Sequence, residues 1–210
     1  MSTAELPMQT AVKVPPGLSP PWPVKRFSVA EYQQLTEDGK FCEDDNLELL
    51  EGWLVPRMAK NLLHDIRVDM LNNWLVRHLP EGWYVRVQNS FVTRDSVPEP
   101  DLAVLRGEAV DYEQRHPTAT DAALLIEVAD SSVDYDRQKL PIYARAGVPQ
   151  VWIFTLESWQ LECYSQPRPD GTFAARKTLK VTDTASFELP DHAQVQVPLS
   201  AVLKPPVTRK

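Results

Sequence analysis

Two acids stand on apolar runs where an acid is out of place. Asp101 follows Pro100 at the start of LAVL within VPEPDLAVL, and Glu127 lies near the end of ALLIEV within ALLIEVADSS. Short apolar runs bounded by proline, glycine and charge are expected to be buried strands. A carboxylate on such a strand is costly unless it is paired, reaches the sheet's edge or binds a metal. If the two strands are neighbours, the acids converge as oxygen ligands for a hard divalent cation, Mg²⁺ or Mn²⁺. Close carboxylates repel, and a shared proton or a cation relieves them; neither run contains an arginine that would do so. Lys139 follows in DYDRQKLPIYARAG, on a segment expected to be helical. A bound divalent ion polarises a phosphoryl oxygen and acidifies water. A lysine beside it orients that water or stabilises the charge growing on the phosphorus. A plainer reading stays open, in which both acids cap strand ends and face water.

Other chemistries find little support. The chain contains no GxxxxGK[ST] loop and no GxGxxG, so those routes to nucleotide phosphates are absent. His64, His78, His116 and His192 include no pair at helical ligand spacing, and Cys42 and Cys163 lie far apart, so a zinc site is not expected. Ser131 and Ser132 lack the GxSxG setting of a nucleophile elbow. The formal net charge of −7 argues against a protein that coats nucleic acid by bulk charge, though not against a local basic groove. With 210 residues, 43% apolar and 24% charged, the composition is that of an ordinary globular protein able to bury a core. No signal peptide or membrane-spanning run is visible, and two unpaired-looking thiols suit a reducing compartment. A cytoplasmic protein without membrane contact is expected.

The elements that must position these residues follow from the chain in order. Residues 1–26 are rich in proline and read as an extended or disordered arm, and 205–210 as a tail; 27–204 read as one domain. Ser28-Val-Ala-Glu31 has capping-box spacing and predicts a short helix closing near Gly39. NLELLEGWLVP predicts a hairpin about Glu51-Gly52. Glu48 on its first strand faces either water or something that wants an acid. Leu63, Ile66, Met70, Trp74 and Leu75 recur at helical spacing and predict a long helix over 61–79, ended by Pro80 and Gly82. His64, near its start, reads more readily as a capping or surface residue than as a catalytic one. WYVRVQNSFVTR (83–94) predicts a strand, with room for a bend near Asn89-Ser90, paired with LAVL across a turn, 106–121 a loop, and ALLIEVAD the central strand. Pro141 inside a helix would lose a hydrogen bond, so the spacing favours a regular helix over about 140–146 with Lys139 at its entrance. QVWIF is expected to be another buried strand, SWQLECYS to pair with it or with the next strand, and the remainder to form hairpins.

The block PEPDLAVL, LLIEVADSS and DRQKLPIYARAGVPQVWIF resembles the Uma-two family of restriction-endonuclease-like proteins, a branch of the PD-(D/E)XK nuclease superfamily. LELLEGWLV is similar to that family's tyrosine-Glu-Leu-Ile-Asp-Gly hairpin, with Leu47 for the tyrosine and Glu51 for the aspartate. The resemblance covers roughly residues 28–165. It implies an α/β restriction-endonuclease-like fold: a mixed central sheet flanked by helices, with additional β-hairpins. It implies Pro100-Asp101 as the PD element and Glu127 as the acid of (D/E)XK, with the Val128 carbonyl as a third ligand. Ala129 stands where the superfamily has lysine, and Lys139 is the migrated replacement; a lysine stem of about 6 Å suffices to reach back. His64 stands where family members often carry a histidine, and Glu48 adds an acid from the hairpin. The implied activity is Mg²⁺- or Mn²⁺-dependent hydrolysis of DNA phosphodiesters, with Lys60, Arg57, Arg67, Arg86 and Arg94 as candidate phosphate contacts. Two other readings stay open: an inactive nuclease-fold module that binds nucleic acid or a partner protein, and a two-carboxylate glycosidase without metal. A homodimer is compatible with the sequence.

Overall fold

The structure, a computed structural model, describes residues 24–41, 45–58 and 60–204. Most of the expected arm and the whole C-terminal tail lie outside the described residues.

Ser28 caps helix α1 (Val29–Glu37) through the reciprocal pair that its spacing predicts. Its Oγ accepts the Glu31 N–H at 3.2 Å, and its own N–H donates to Glu31 Oε2 at 2.9 Å. Strands β1 (Leu47–Leu50) and β2 (Trp53–Pro56) form the expected hairpin. Glu51 and Gly52 both take positive φ, 49° and 80°, as a two-residue turn of this hand requires. A Cβ on Gly52 would lie 2.8 Å from Arg26 Cβ, so glycine is needed there for space as well. Tyr32 of α1, Leu49 of β1 and Val97 form a small core that fixes this N-terminal layer.

Helix α2 (Leu62–His78) is the long helix expected, but the apolar face it buries is Val68, Leu71 and Leu75, and Ile66 of the predicting set is exposed. Beyond it run β3 (Trp83–Val87), β4 (Leu102–Arg106), β5 (Ala122–Ala129), α3 (Val133–Ala146), β6 (Gln150–Thr155), β7 (Gln160–Pro167) and β8 (Phe173–Lys180). The six strands form one sheet in the order β3-β4-β5-β6-β7-β8. Only β5 and β6 are parallel, and α3 supplies the crossover that a parallel pair needs. Strand β5 is buried at every position, in keeping with its unbroken apolar run. Hairpin β9–β10 (Thr184–Glu188, Gln194–Pro198) and helix α4 (Leu199–Val202) complete the described residues.

Alternation along the strands builds two cores. Leu102, Val104, Leu124, Ile126 and Val128 face one side, against Val68, Leu71 and Leu75 of α2 and Phe187 of β9. Ala103, Leu105, Leu125, Ala129 and Ile153 face the other, against Tyr143 of α3. Among the described residues, no helix is long and apolar enough to cross a membrane.

Two local expectations are corrected. Strand β3 stops at Val87 rather than running to 94, because Gln88 turns the chain with φ 50°. Helix α3 begins at Val133, not near Leu140, and carries Pro141 in its interior. Its first turns are tied down by polar contacts of Tyr135, Asp136 and Lys139, described below, and Gly147 ends it at φ 83°. Those contacts offset a proline cost of about 3 kcal/mol. Lys139 is therefore a mid-helix residue.

Candidate active site

β4 and β5 pair antiparallel as far as Leu102 opposite Ile126, and one more step of that register sets Asp101 opposite Glu127. Directly opposed residues of such a pair share a face, here the one that α3 covers. Where the ladder ends, the Asp101 side chain takes over from backbone: its Oδ2 accepts the Val128 N–H at 2.8 Å. Its Oδ1 lies 3.1 Å from His64 Nε2 and accepts from Gln88 Nε2 at 3.2 Å. Burial pushes Asp101 upward, but the His64 contact, the Val128 amide and Lys139 outweigh it and hold the carboxyl below its ordinary value.

His64 sits in the first turn of α2, where Asn61 Oδ1 accepts its N–H at 3.0 Å. Burial disfavours its charge, yet Asp101 and Asp65 raise its pKa on balance. The expected long helix thus delivers a buried histidine to the Asp101 carboxylate.

Glu127 is 2% exposed and Lys139 4%. The Lys139 ammonium lies 3.4 Å from Glu127 Oε1, 3.4 Å from Glu48 Oε1 and 4.0 Å from Asp136 Oδ1. Tyr143 donates its hydroxyl to Glu127 Oε1 at 2.6 Å, and Tyr135 donates to Glu48 Oε1. Glu48, fully buried, also accepts the Glu99 N–H at 3.0 Å. Burial pushes Glu127 well above the ordinary carboxylate range; Lys139 pulls it down, and Asp136 and Asp101 push it further up. Burial pushes Asp136 up to about 6 against the pull of Lys139 and Ser132. Lys139 moves upward despite its own burial, because Glu127, Glu48 and Asp136 surround it. At neutral pH it is an ammonium.

These residues share one small cavity of about 50 Å³, lined by Glu48, His64, Asp101, Glu127, Val128 and Lys139. That is room for one or two water-sized occupants, at about 30 Å³ each. The structure therefore brings together the candidate catalytic and metal-holding residues of the sequence, Glu48, His64, Asp101, Glu127, Val128 and Lys139. Of the cations proposed for phosphates, Arg57 and Lys60 line the cavity. Arg67 does not: it is buried in α2, with its guanidinium 5.3 Å from the Trp159 ring. Arg86 and Arg94 also lie elsewhere, Arg94 beside Glu51, Asp95 and Arg145.

Sequence reasoning missed Tyr135, Asp136, Tyr143 and Gln88. The first three fall at i−4, i−3 and i+4 from Lys139, a signal that a continuous helix over 133–146 would have exposed. For Gln88 no local pattern points to Asp101.

Among the described residues, no three His, Cys, Asp or Glu side chains gather into a metal-holding group. The donor chemistry still fits a hard divalent ion bound by fewer side chains. Four buried carboxylates, Glu48, Asp101, Glu127 and Asp136, face the Lys139 ammonium and His64. Carboxylate and carbonyl oxygens are the donors that suit Mg²⁺ or Mn²⁺.

A protein family named Uma2 and described as "Putative restriction endonuclease" matches residues 29–199. No curated protein matches the chain. Among solved structures, a "putative nuclease belonging to DUF820" from Anabaena variabilis is similar over 84% of this chain and 99% of that one. The TM-score is 0.65 at 14% sequence identity, a likeness of fold.

Proposed function

Because the chain belongs to the Uma2 family of restriction-endonuclease-like proteins, we propose that it is a metal-dependent nuclease that hydrolyses DNA phosphodiesters at the Asp101–Glu127–Lys139 cluster. The observation that carries this reading is the Lys139 ammonium, 3.4 Å from Glu127 and buried in the cavity that Asp101 also lines. Asp101 and Glu127, with the Val128 carbonyl, would hold Mg²⁺ or Mn²⁺. The ion, when bound, polarises the phosphoryl oxygen and acidifies water.

The protein's own residues do the rest. Lys139 stays protonated, so it is an electrostatic and orienting group for attacking water and developing phosphoryl charge, and not a base. The Val128 amide and His64 each hold one oxygen of Asp101, which fixes the rotation of the carboxylate. Tyr143 does the same for Glu127. Glu48, gripped by Tyr135 and the Glu99 amide, is a positioning residue for Lys139.

Incubating the protein with plasmid and oligonucleotides in Mg²⁺, Mn²⁺ or EDTA, beside Asp101→Ala, tests this. Cleavage that needs the metal and Asp101 is expected; cleavage in EDTA, or by Asp101→Ala at the parent's rate, contradicts it. A second reading, a nuclease-fold module that binds without cutting, is favoured by the small size of the cavity, about 50 Å³. It predicts DNA binding with no turnover in any metal. The glycosidase reading has no support from the family.

A further inference from the structure

A groove of about 740 Å³ opens beside the catalytic cavity and shares Arg57, Lys60 and Glu99 with it. That volume lies within the usual range for small-ligand sites. Its lining has two parts. Phe41 lines the groove with a half-buried aromatic ring, backed by the buried Tyr32 ring 6.0 Å away at 26°. Gln33 and Asn46 contribute carboxamides, each both donor and acceptor, and Gln88 and Asn89 add theirs with the nitrogens bonded to Asp101 Oδ1 and the Val87 carbonyl. Two acids, Glu37 and Glu99, balance Arg57 and Lys60, so the groove is not a phosphate track. Rings for stacking and carboxamides for base edges are the chemistry that recognises an exposed nucleobase.

Gln88 joins this groove to the site. Its backbone sits at φ 50°, a conformation that a long side chain seldom adopts. Two hydrogen bonds to Asp101 hold it there: N–H to the main-chain oxygen at 3.0 Å and Nε2 to Oδ1 at 3.2 Å. The residue that lines the groove is thus bonded to the carboxylate of the cluster. Duplex DNA, by contrast, is gripped through many phosphate contacts. Arg57 is engaged with Glu99, so of the cavity's described cationic side chains only Lys60 is exposed.

We propose that the groove binds an unpaired nucleobase of the DNA strand being cut, so that the enzyme acts on single-stranded or frayed DNA in preference to intact duplex. The proposal rests on the nuclease reading above. Its test measures binding apart from cleavage. Fluorescence anisotropy compares a short fluorescein-labelled oligonucleotide, single-stranded and annealed, on the wild-type protein, Phe41→Ala and Gln33→Ala. Phe41 packs against Tyr32, whereas Gln33 lies on the surface of α1, where alanine is a good helix former. Tighter binding of the single strand is expected, weakened about tenfold by Phe41→Ala and several-fold by Gln33→Ala, with duplex binding unchanged. Equal or tighter binding of the duplex overturns the proposal, as does single-strand binding that neither variant alters. No binding of either form also overturns it. Plasmid cleavage then decides separately: metal-dependent cutting leaves the nuclease reading standing, and its absence removes that reading too.

Discussion

Removing Lys139 changes the surroundings of three acids at once, since Glu127, Glu48 and Asp136 all lie within 4.0 Å of its ammonium. Lys139→Met keeps the stem and deletes the charge, and should slow cleavage about 10²–10³-fold in single-turnover assays while the fold, followed by circular dichroism, persists. Lys139→Arg should restore little, because a planar fork does not replace a compact point charge. Parent-like rates in Lys139→Met would remove the lysine from the mechanism. Asp136 gives a pH-dependent test. Its folded pKa, about 6, lies above the ordinary 3.8, so the folded state holds the proton more tightly. The stability this gives is complete below the unfolded value and is lost as pH rises through about 6. Asp136→Asn should therefore be more stable than the wild type above that pH, by an amount on the order of 2 kcal/mol. The gain should shrink toward pH 4, as read from urea midpoints across the range. A gain independent of pH would contradict the burial account. At this scale the site was largely legible: Asp101, Glu127 and Glu48 each interrupt an apolar pattern, and family resemblance pointed to Lys139 and His64. Tyr135, Asp136 and Tyr143 were hidden because they carry meaning only relative to Lys139 on one helix face.

Pro141 is what concealed that face. Read locally, a proline ends or starts a helix, and the lost Pro141 N–H leaves the Arg137 carbonyl without its intrahelical donor. In the folded chain α3 runs through it, because the polar contacts of its first turns and the Tyr143 packing hold both halves. Apart from the Ser132–Asp136 bond, these contacts reach Glu48 of β1 and Glu127 of β5, and no window around Pro141 contains those partners. Elements whose signals are local were legible: the Ser28–Glu31 capping box, the Glu51-Gly52 hairpin and the apolar spacing of α2. Pro141→Ala should restore the backbone bond and raise the urea midpoint, with a gain of about 1–2 kcal/mol after the added freedom of the unfolded chain. Cleavage should be unchanged, since Lys139 is held by its acids. A loss of stability would mean that the ring's packing beside Gly171 outweighs the missing bond.

Across the whole molecule, the central sheet brings residues from four separate stretches to one end of β4 and β5. The hairpin brings Glu48, the long helix His64, the β3–β4 turn Gln88 and α3 Lys139. The mixed sheet and its flanking helices followed from the order of apolar runs and from the resemblance. The closeness of Glu48 to Lys139 did not, because it depends on how the hairpin packs against α3. The central claim is that Asp101 and Glu127, opposed on adjacent strands, form one hard-cation site. Calorimetric titration of Mn²⁺ into the wild type, Asp101→Asn and Glu127→Gln tests it directly. Glu127→Gln keeps an acceptor for Tyr143 and removes only the charge. The account predicts saturable binding to the wild type and loss of that binding in both variants while each remains folded. Undiminished Mn²⁺ binding by both variants would contradict it.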